Sequence, residues 1–172
     1  MSASLVGSEM CIRDSTYTTV RLEDFFADIK EQALGLVEIY HQKIDWKAEQ
    51  SDKKVTIAYD PMFRAVMNMI QNAVEHTKEN GIIYIDAKEQ DGRLTFIVED
   101  SGSGFTKEAL LHGTEQFFMD DTSRNGEAHY GMGLFFAKTV AEKYGGGIKL
   151  SNSENTGGAR VEIFFLSSQE TS

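Results

Sequence analysis

The chain predicts an α+β fold: a two-layer α/β sandwich in which a mixed, mostly antiparallel sheet carries about three helices on one face. Two observations predict it. Three segments repeat apolar residues at helical spacing, and several short segments alternate apolar and polar residues between turn signals. A third supports them: 172 residues with this apolar content suit one domain with a proper core.

The elements follow in order. The segment from Ser4 to Ser15 has neither period nor cap signal and resembles a translated adapter sequence. Residues 1–15 are therefore read as a non-native scar or linker remnant, and 16–172 as the domain. Val20-Arg21-Leu22 reads as a short edge strand. Glu23 to Gln42 reads as a helix whose apolar side holds Leu22, Phe25, Phe26, Ile29, Ala33, Leu36, Val37 and Tyr40. Lys54 to Tyr59 alternates as a strand. A second helix then opens with Asp60 as N-cap and Pro61 at its first position, where a missing N–H costs nothing. Phe63, Val66, Met67, Ile70 and Val74 form its buried stripe. Ile82–Lys88 and Arg93–Glu99 form a hairpin around Asp91-Gly92, a favoured tight-turn pair. A third helix runs from about Leu134 to Tyr144. Gly145-Gly146-Gly147 leads to a strand at Ile148–Asn152, and a second hairpin turns at Gly157-Gly158 into Ala159–Phe165. There is no internal repeat and no low-complexity linker.

Three polar groupings carry chemistry. Asn68, Asn72 and His76 stand four residues apart on the second helix and share a face distinct from its apolar stripe. Two carboxamides and an imidazole in line suggest a polar ligand; a solvated helix face explains the window equally well. Asp100 has the strand parity of Leu94, Phe96 and Val98, so it points to the apolar side, where a carboxylate needs a donor. An exocyclic amine of a bound base would serve, and Gly102 and Gly104 let the backbone turn close to it. An ordinary Asp-Gly turn is the alternative. Gly131-Met132-Gly133-Leu134 opens the third helix, where free N–H groups and the positive dipole end make a phosphate cradle. Between these groupings, Thr106 to Tyr130, with Gln116-Phe117-Phe118-Met119 and a polar stretch after it, reads as a mobile lid.

In this order the groupings resemble the catalytic and ATP-binding domain of sensor histidine kinases, within the GHKL group (Bergerat fold) that also includes gyrase, heat-shock and mismatch-repair ATPases. Asn68-x-x-x-Asn72-Ala73 matches the N box, Asp100-x-Gly102-x-Gly104 the G1 box and Gly131-Met132-Gly133-Leu134 the G2 box. Phe117-Phe118 resembles the F box, and Thr156-Gly157-Gly158-Ala159-Arg160-Val161 the terminal glycine motif. The resemblance spans about Val20 to Leu166. It implies ATP and Mg2+ as cofactors. Asn72 would ligate the magnesium and Asn68 would support the phosphates. Asp100 would accept from the adenine amino group, with Gly102, Gly104 and Phe105 lining the base pocket. His76 would pack on adenine. Phe117 would sit in the lid, and Gly131, Met132, Gly133 and Leu134 would hold phosphates.

Some positions depart from the family pattern. Glu75 stands where many members carry Lys or Arg near the phosphates, so it is expected to face solvent or pair with a lid cation. Met119 stands where an Arg often follows the F box, with Arg124 or Lys107 as replacements. Ala159 replaces a frequent Thr, which implies one water-mediated base contact fewer. Asn68 stands where the hydrolytic ATPases carry a catalytic Glu. A carboxamide is no base at neutral pH, so phosphoryl transfer fits better than hydrolysis.

The phosphoacceptor is expected on another domain. Among the four histidines, His41, on an amphipathic helix, and His112, ending a short helix, read as surface residues, while His129 borders the G2 box. The expected partners are ATP, a histidine-bearing dimerisation domain and, indirectly, a response regulator. The isolated domain is expected to be monomeric. A net charge of −10 argues against nucleic acid or anionic membrane. One cysteine, Cys11, excludes an internal disulfide and fits a reducing compartment, here the cytoplasm. No apolar run is long enough to span a bilayer, although the full-length relatives are often membrane-anchored. Two other readings stay open: an anti-sigma-type serine kinase of related fold, and a degenerate nucleotide-binding module without activity.

Overall fold

The computed structural model of the protein describes residues 17–115 and 130–167. The expectations for residues 1–15, Cys11, Phe117, Phe118, Met119, Arg124 and His129 lie outside the described residues. So do the side chains of Gly131 and Met132, whose backbone belongs to a helix.

In chain order the elements are β1 (Thr18–Arg21), α1 (Leu22–Ile39), β2 (Lys43–Ala48), β3 (Lys54–Ile57), α2 (Tyr59–Glu75), β4 (Ile82–Gln90), β5 (Arg93–Glu99), α3 (Lys107–His112), α4 (Tyr130–Lys143), β6 (Gly147–Asn152) and β7 (Ala159–Leu166). Five strands form one sheet in the order β2-β4-β5-β7-β6. Only β2–β4 is parallel; the other neighbours run antiparallel. Ile83, Ile85, Ala87, Leu94, Phe96, Val98, Val161, Ile163 and Phe165 point to one face and are buried. The longer helices α1, α2 and α4 cover that face, giving the two-layer sandwich. Phe96 lies at its centre, with edge-on contacts to Phe25 (6.1 Å) and Phe26 (5.5 Å) from α1. Burying one such ring is worth about 1.5–3 kcal/mol.

Several local expectations are corrected. Val20 and the Lys54–Ile57 strand pair with each other in a separate two-stranded ladder, Val20 opposite Val55, rather than on the main sheet. Leu22 begins α1, its N–H bonded to the Lys53 carbonyl at 2.8 Å. That helix stops at Ile39 rather than Gln42, because His41 turns left-handed (φ 55°) and sends Gln42 inward. Tyr40 is thus in the exit turn and exposed. Asp60 is not the N-cap of α2. Ala58 holds that place without a side-chain bond, Tyr59 is helical, and Asp60 meets the dipole from within the first turn. Pro61 still lacks only an N–H that has no helical partner. β2 is an element that the sequence reading does not contain, although Ile44, Trp46 and Ala48 alternate with Lys43, Asp45 and Lys47. The short helix expected to end at His112 does form: Thr106 Oγ1 accepts from Ala109 N–H (3.0 Å) and caps α3. The Asp91-Gly92 turn forms as expected, with φ of 53° and 81°.

Candidate functional site

Helix α2 is the spine of the candidate site. Met62, Ala65, Val66, Met69, Ile70, Ala73 and Val74 are buried, while Phe63 and Met67 are half-buried at the margin of the predicted stripe. Asn68 and His76 are half-buried. Asn72, between them, is 3% exposed, and its Oδ1 has no hydrogen-bond partner among the described residues. A buried acceptor without a donor costs about 1–3 kcal/mol, so its presence needs a cause. Burial of Asn72 also rules out the simple solvated face as an account of this position. His76 ends the helix, and its Nδ1 donates to the Asn72 carbonyl at 2.7 Å. Glu75 is half-buried and accepts from Gln71 Nε2 at 2.7 Å, one turn back.

The exit of α2 is held from outside. Gln42, 7% exposed, donates from Nε2 to the carbonyls of Val74 (2.9 Å) and Thr77 (2.7 Å). Past the end of the helix the Val74 carbonyl has only the long Thr77 N–H bond (3.3 Å) of the exit turn, and a carboxamide from the α1–β2 connection adds a donor to each carbonyl. The Oε1 of Gln42 and the Oγ1 of Thr77 stay buried without partners among the described residues.

Asp100 follows β5 and is 1% exposed. Its Oδ1 accepts two main-chain N–H groups, from Gly102 (3.0 Å) and Ala159 (2.9 Å). Among the described residues nothing donates to Oδ2. Burial pushes the carboxyl above the ordinary carboxylate range, and the two amides and nearby His76 pull it part of the way back. Three close approaches shape the turn. A Cβ on Gly102 would lie 2.3 Å from the His76 carbonyl oxygen, and one on Gly158 would lie 2.1 Å from that of Asp100. Gly104 has φ +84°, and a Cβ there would lie 2.8 Å from the Gly157 carbonyl oxygen. The β6–β7 connection adds Thr156, whose Oγ1 donates to the Asp100 carbonyl at 2.7 Å.

Helix α4 brings Gly131, Met132, Gly133 and Leu134 into its first turns. A Cβ on Gly133 would meet Asn68 Cβ and its carbonyl at 3.9 Å, so this helix end lies against the middle of α2. The side chain of Leu134 is fully buried in the core and offers a ligand only its main chain. Phe105 is likewise a core residue, 6% exposed. The contacts His76–Gly102 and Asn68–Gly133 thus bring the Asp100 turn to one end of α2 and the glycine-rich helix start to its middle. The remaining histidines lie apart: His41 is exposed, and His112 pairs with Glu115 at 2.7 Å beyond α3.

A separate hollow of about 370 Å³ opens on the helix-free face of the sheet, lined by Asp45, Tyr84, Asp86, Glu99 and Arg160 among others. Arg160 bonds Glu99 (3.0 Å) and Glu162 (3.1 Å), so its central charges already match one another. It holds no orphaned buried group comparable to Asn72.

Comparison with known proteins agrees with this geometry. Residues 58–169 match the family described as histidine kinase-, DNA gyrase B- and HSP90-like ATPase. The sensor histidine kinase SpaK of Bacillus subtilis is 38% identical over 120 residues, covering 70% of this chain and 26% of that protein. The nisin biosynthesis sensor protein NisK of Lactococcus lactis is 32% identical over 146 residues, covering 83% and 32%. The chain therefore spans about a quarter to a third of these relatives. In fold it is similar to the catalytic domain of histidine kinase ThkA (TM-score 0.74, 20% identity, 88% of this chain and 95% of that one). It is also similar to the mycobacterial sensor histidine kinase MprB (TM-score 0.70, 19% identity, 88% and 98%). Ordered asparagines, an acidic glycine turn and a glycine-rich helix start, carried on this sandwich and matched across the site region, make the chain a member of the histidine kinase-, DNA gyrase B- and HSP90-like ATPase family.

Proposed function

We propose that this chain binds Mg-ATP between α2, the Asp100 turn and the start of α4, and donates the γ-phosphoryl group to a histidine on a dimerisation domain outside it. The phosphoryl group then passes to a response regulator. The observation that carries this reading is Asn72 Oδ1, a buried acceptor with no partner among the described residues, on the helix that Gly133 abuts. A carboxamide oxygen of this kind suits a hard divalent cation. Asn72 would hold a magnesium ion there, which would supply charge compensation for the phosphate oxygens.

The chain's own residues do the rest. Asp100 keeps one oxygen on main-chain amides and leaves Oδ2 for an N–H donor, which the amino group of adenine provides. His76, at the end of α2, lies against the base together with Gly102 and Gly104. The free N–H groups at the start of α4, around Gly131 and Met132, hold phosphate oxygens, with Gly133 and Leu134 following in the helix behind them, and the helix dipole favours the phosphate charge. Phe117, outside the described residues, is a further proposed contact to the nucleotide. Asn68 accepts no proton at neutral pH, so the site orients ATP without activating water, which favours transfer over hydrolysis. The domain acts as a monomer on the cytoplasmic side, without nucleic acid or direct membrane contact. Among the described residues no helix is long and apolar enough to cross a membrane.

Calorimetry of Mg-ATP and Mg-GTP on the parent, Asn72→Asp and Asp100→Asn tests the site. Asp100→Asn is expected to weaken ATP far more than GTP, and Asn72→Asp to change chiefly the metal dependence. Equal loss of both nucleotides in Asp100→Asn would remove the role given to that carboxylate. Transfer is read as ATP-dependent, acid-labile phosphate on an added histidine-bearing helical hairpin from a sensor-kinase relative.

A further inference from the structure

Beyond the matched motifs, one side chain joins the Asp100 turn to the second hairpin. Asn152 ends β6. Its Oδ1 accepts the Phe105 N–H at 2.6 Å, and its Nδ2 donates to the Phe105 carbonyl at 3.1 Å. A carboxamide offers one acceptor and one donor side by side, as a peptide group does. Asn152 therefore acts as a strand partner for a residue that lies beyond the end of β5.

The place of this clamp matters. The Asp100 turn is fixed at its first end by the bonds of Asp100 Oδ1 to the Gly102 and Ala159 amides. Its other end passes through Gly104, where a Cβ would lie 2.9 Å from Asn152 Oδ1. Phe105 comes next, followed at once by Thr106, which caps α3. The turn is thus pinned at both ends, and among the described residues the Asn152 bonds hold its exit by a side chain from another element. We propose that Asn152 is a positioning residue for the nucleotide site: it fixes the Gly104–Phe105 end of the turn, and with it the aim of Asp100 toward the base. This rests on the reading that Asp100 faces adenine. It adds that base recognition depends on a residue 47 positions downstream of Phe105 in a different hairpin.

The test compares the parent chain with Asn152→Ala and Asn152→Asp. The second keeps the acceptor for Phe105 N–H, loses the donor, and preserves volume should the alanine variant fold poorly. Calorimetry with Mg-ATP and Mg-GTP and amide hydrogen exchange at Phe105 are the readouts. Asn152→Ala is expected to weaken ATP by about tenfold, as for loss of one to two hydrogen bonds, to narrow the preference of ATP over GTP, and to speed Phe105 exchange. Asn152→Asp is expected to fall between it and the parent. Parent-like ATP affinity and Phe105 exchange in Asn152→Ala would overturn the proposal. So would an equal loss of ATP and GTP, which marks a merely structural residue. A parent that binds neither nucleotide would instead sink the ATP reading itself.

Discussion

The carbonyl oxygen of His76 sits where a side chain on Gly102 would have to go: a Cβ at 102 would come within 2.3 Å of it. This contact locks the last turn of α2 to the Asp100 turn, so the helix carrying Asn72 and the carboxylate at Asp100 cannot shift independently. Substituting Gly102→Ala is expected to destabilise the fold by about 1–3 kcal/mol, as for overpacking elsewhere, and to weaken ATP binding. Thermal unfolding and calorimetry measure the two effects. An alanine variant with parental stability would show that the contact yields at no cost.

Asp100 predicts a separation of stability from binding. Its folded carboxyl titrates above the ordinary value of 3.8 because it is buried. At the acid end it is protonated in both folded and unfolded chains. As pH rises from there, the unfolded chain loses its proton first, so folding stability falls until the folded group has also ionised. Asp100→Asn escapes this loss while its side-chain oxygen still accepts the Gly102 and Ala159 amides. The variant is expected to match or exceed the parent in stability near neutral pH, with the difference closing in acid. Urea midpoints across that range check it.

Glu89 predicts the opposite slope. Burial works against its charge, but Lys53 Nζ and the Gly92 N–H, both at 2.8 Å from Oε1, win, and its carboxyl stays below the ordinary value of 4.5. Its stabilising contribution is full above that value and disappears as pH falls through the folded pKa. Glu89→Gln is therefore expected to be less stable than the parent at neutral pH and equal to it in strong acid. A deficit that persists unchanged in acid would point to packing rather than charge.

Gln42 predicts a cost at a distance from the ligand. Gln42→Glu removes both donors to the Val74 and Thr77 carbonyls and sets a carboxylate against them. The loss is expected to be about 1–3 kcal/mol, chiefly from the Thr77 carbonyl, because Val74 keeps the Thr77 N–H at 3.3 Å. Faster amide exchange in the last turn of α2 and weaker ATP binding should accompany it. Gln42→Leu, which also removes the orphaned Oε1, should cost less. Thermal unfolding of the pair gives the order.

Much of the candidate site was legible because its signals are local. A four-residue spacing puts Asn68, Asn72 and His76 on one helix face whatever surrounds them. Strand parity points Asp100 the way of Val98. Glycines at 102, 104 and 158 stand where the backbone comes close to its neighbours. The ends of elements were less legible: Tyr59 could extend a strand or start a helix, and packing on Phe25 and Phe63 accompanies the helical choice. β2 is short and half charged, and its pairing with β4 settles what its alternation alone left open.

By itself, then, the sequence determined the two-layer class, the central hairpin, and the helix face and strand parity that carry the candidate-site residues, because these follow from period, parity and glycine. Only the tertiary structure decided that β1 and β3 form their own ladder, that Gln42 closes α2, and that Asn152 holds Phe105. Each of these joins residues more than thirty positions apart. No window of sequence contains both partners, and a polar side chain shows its partner only once the chain has folded around it.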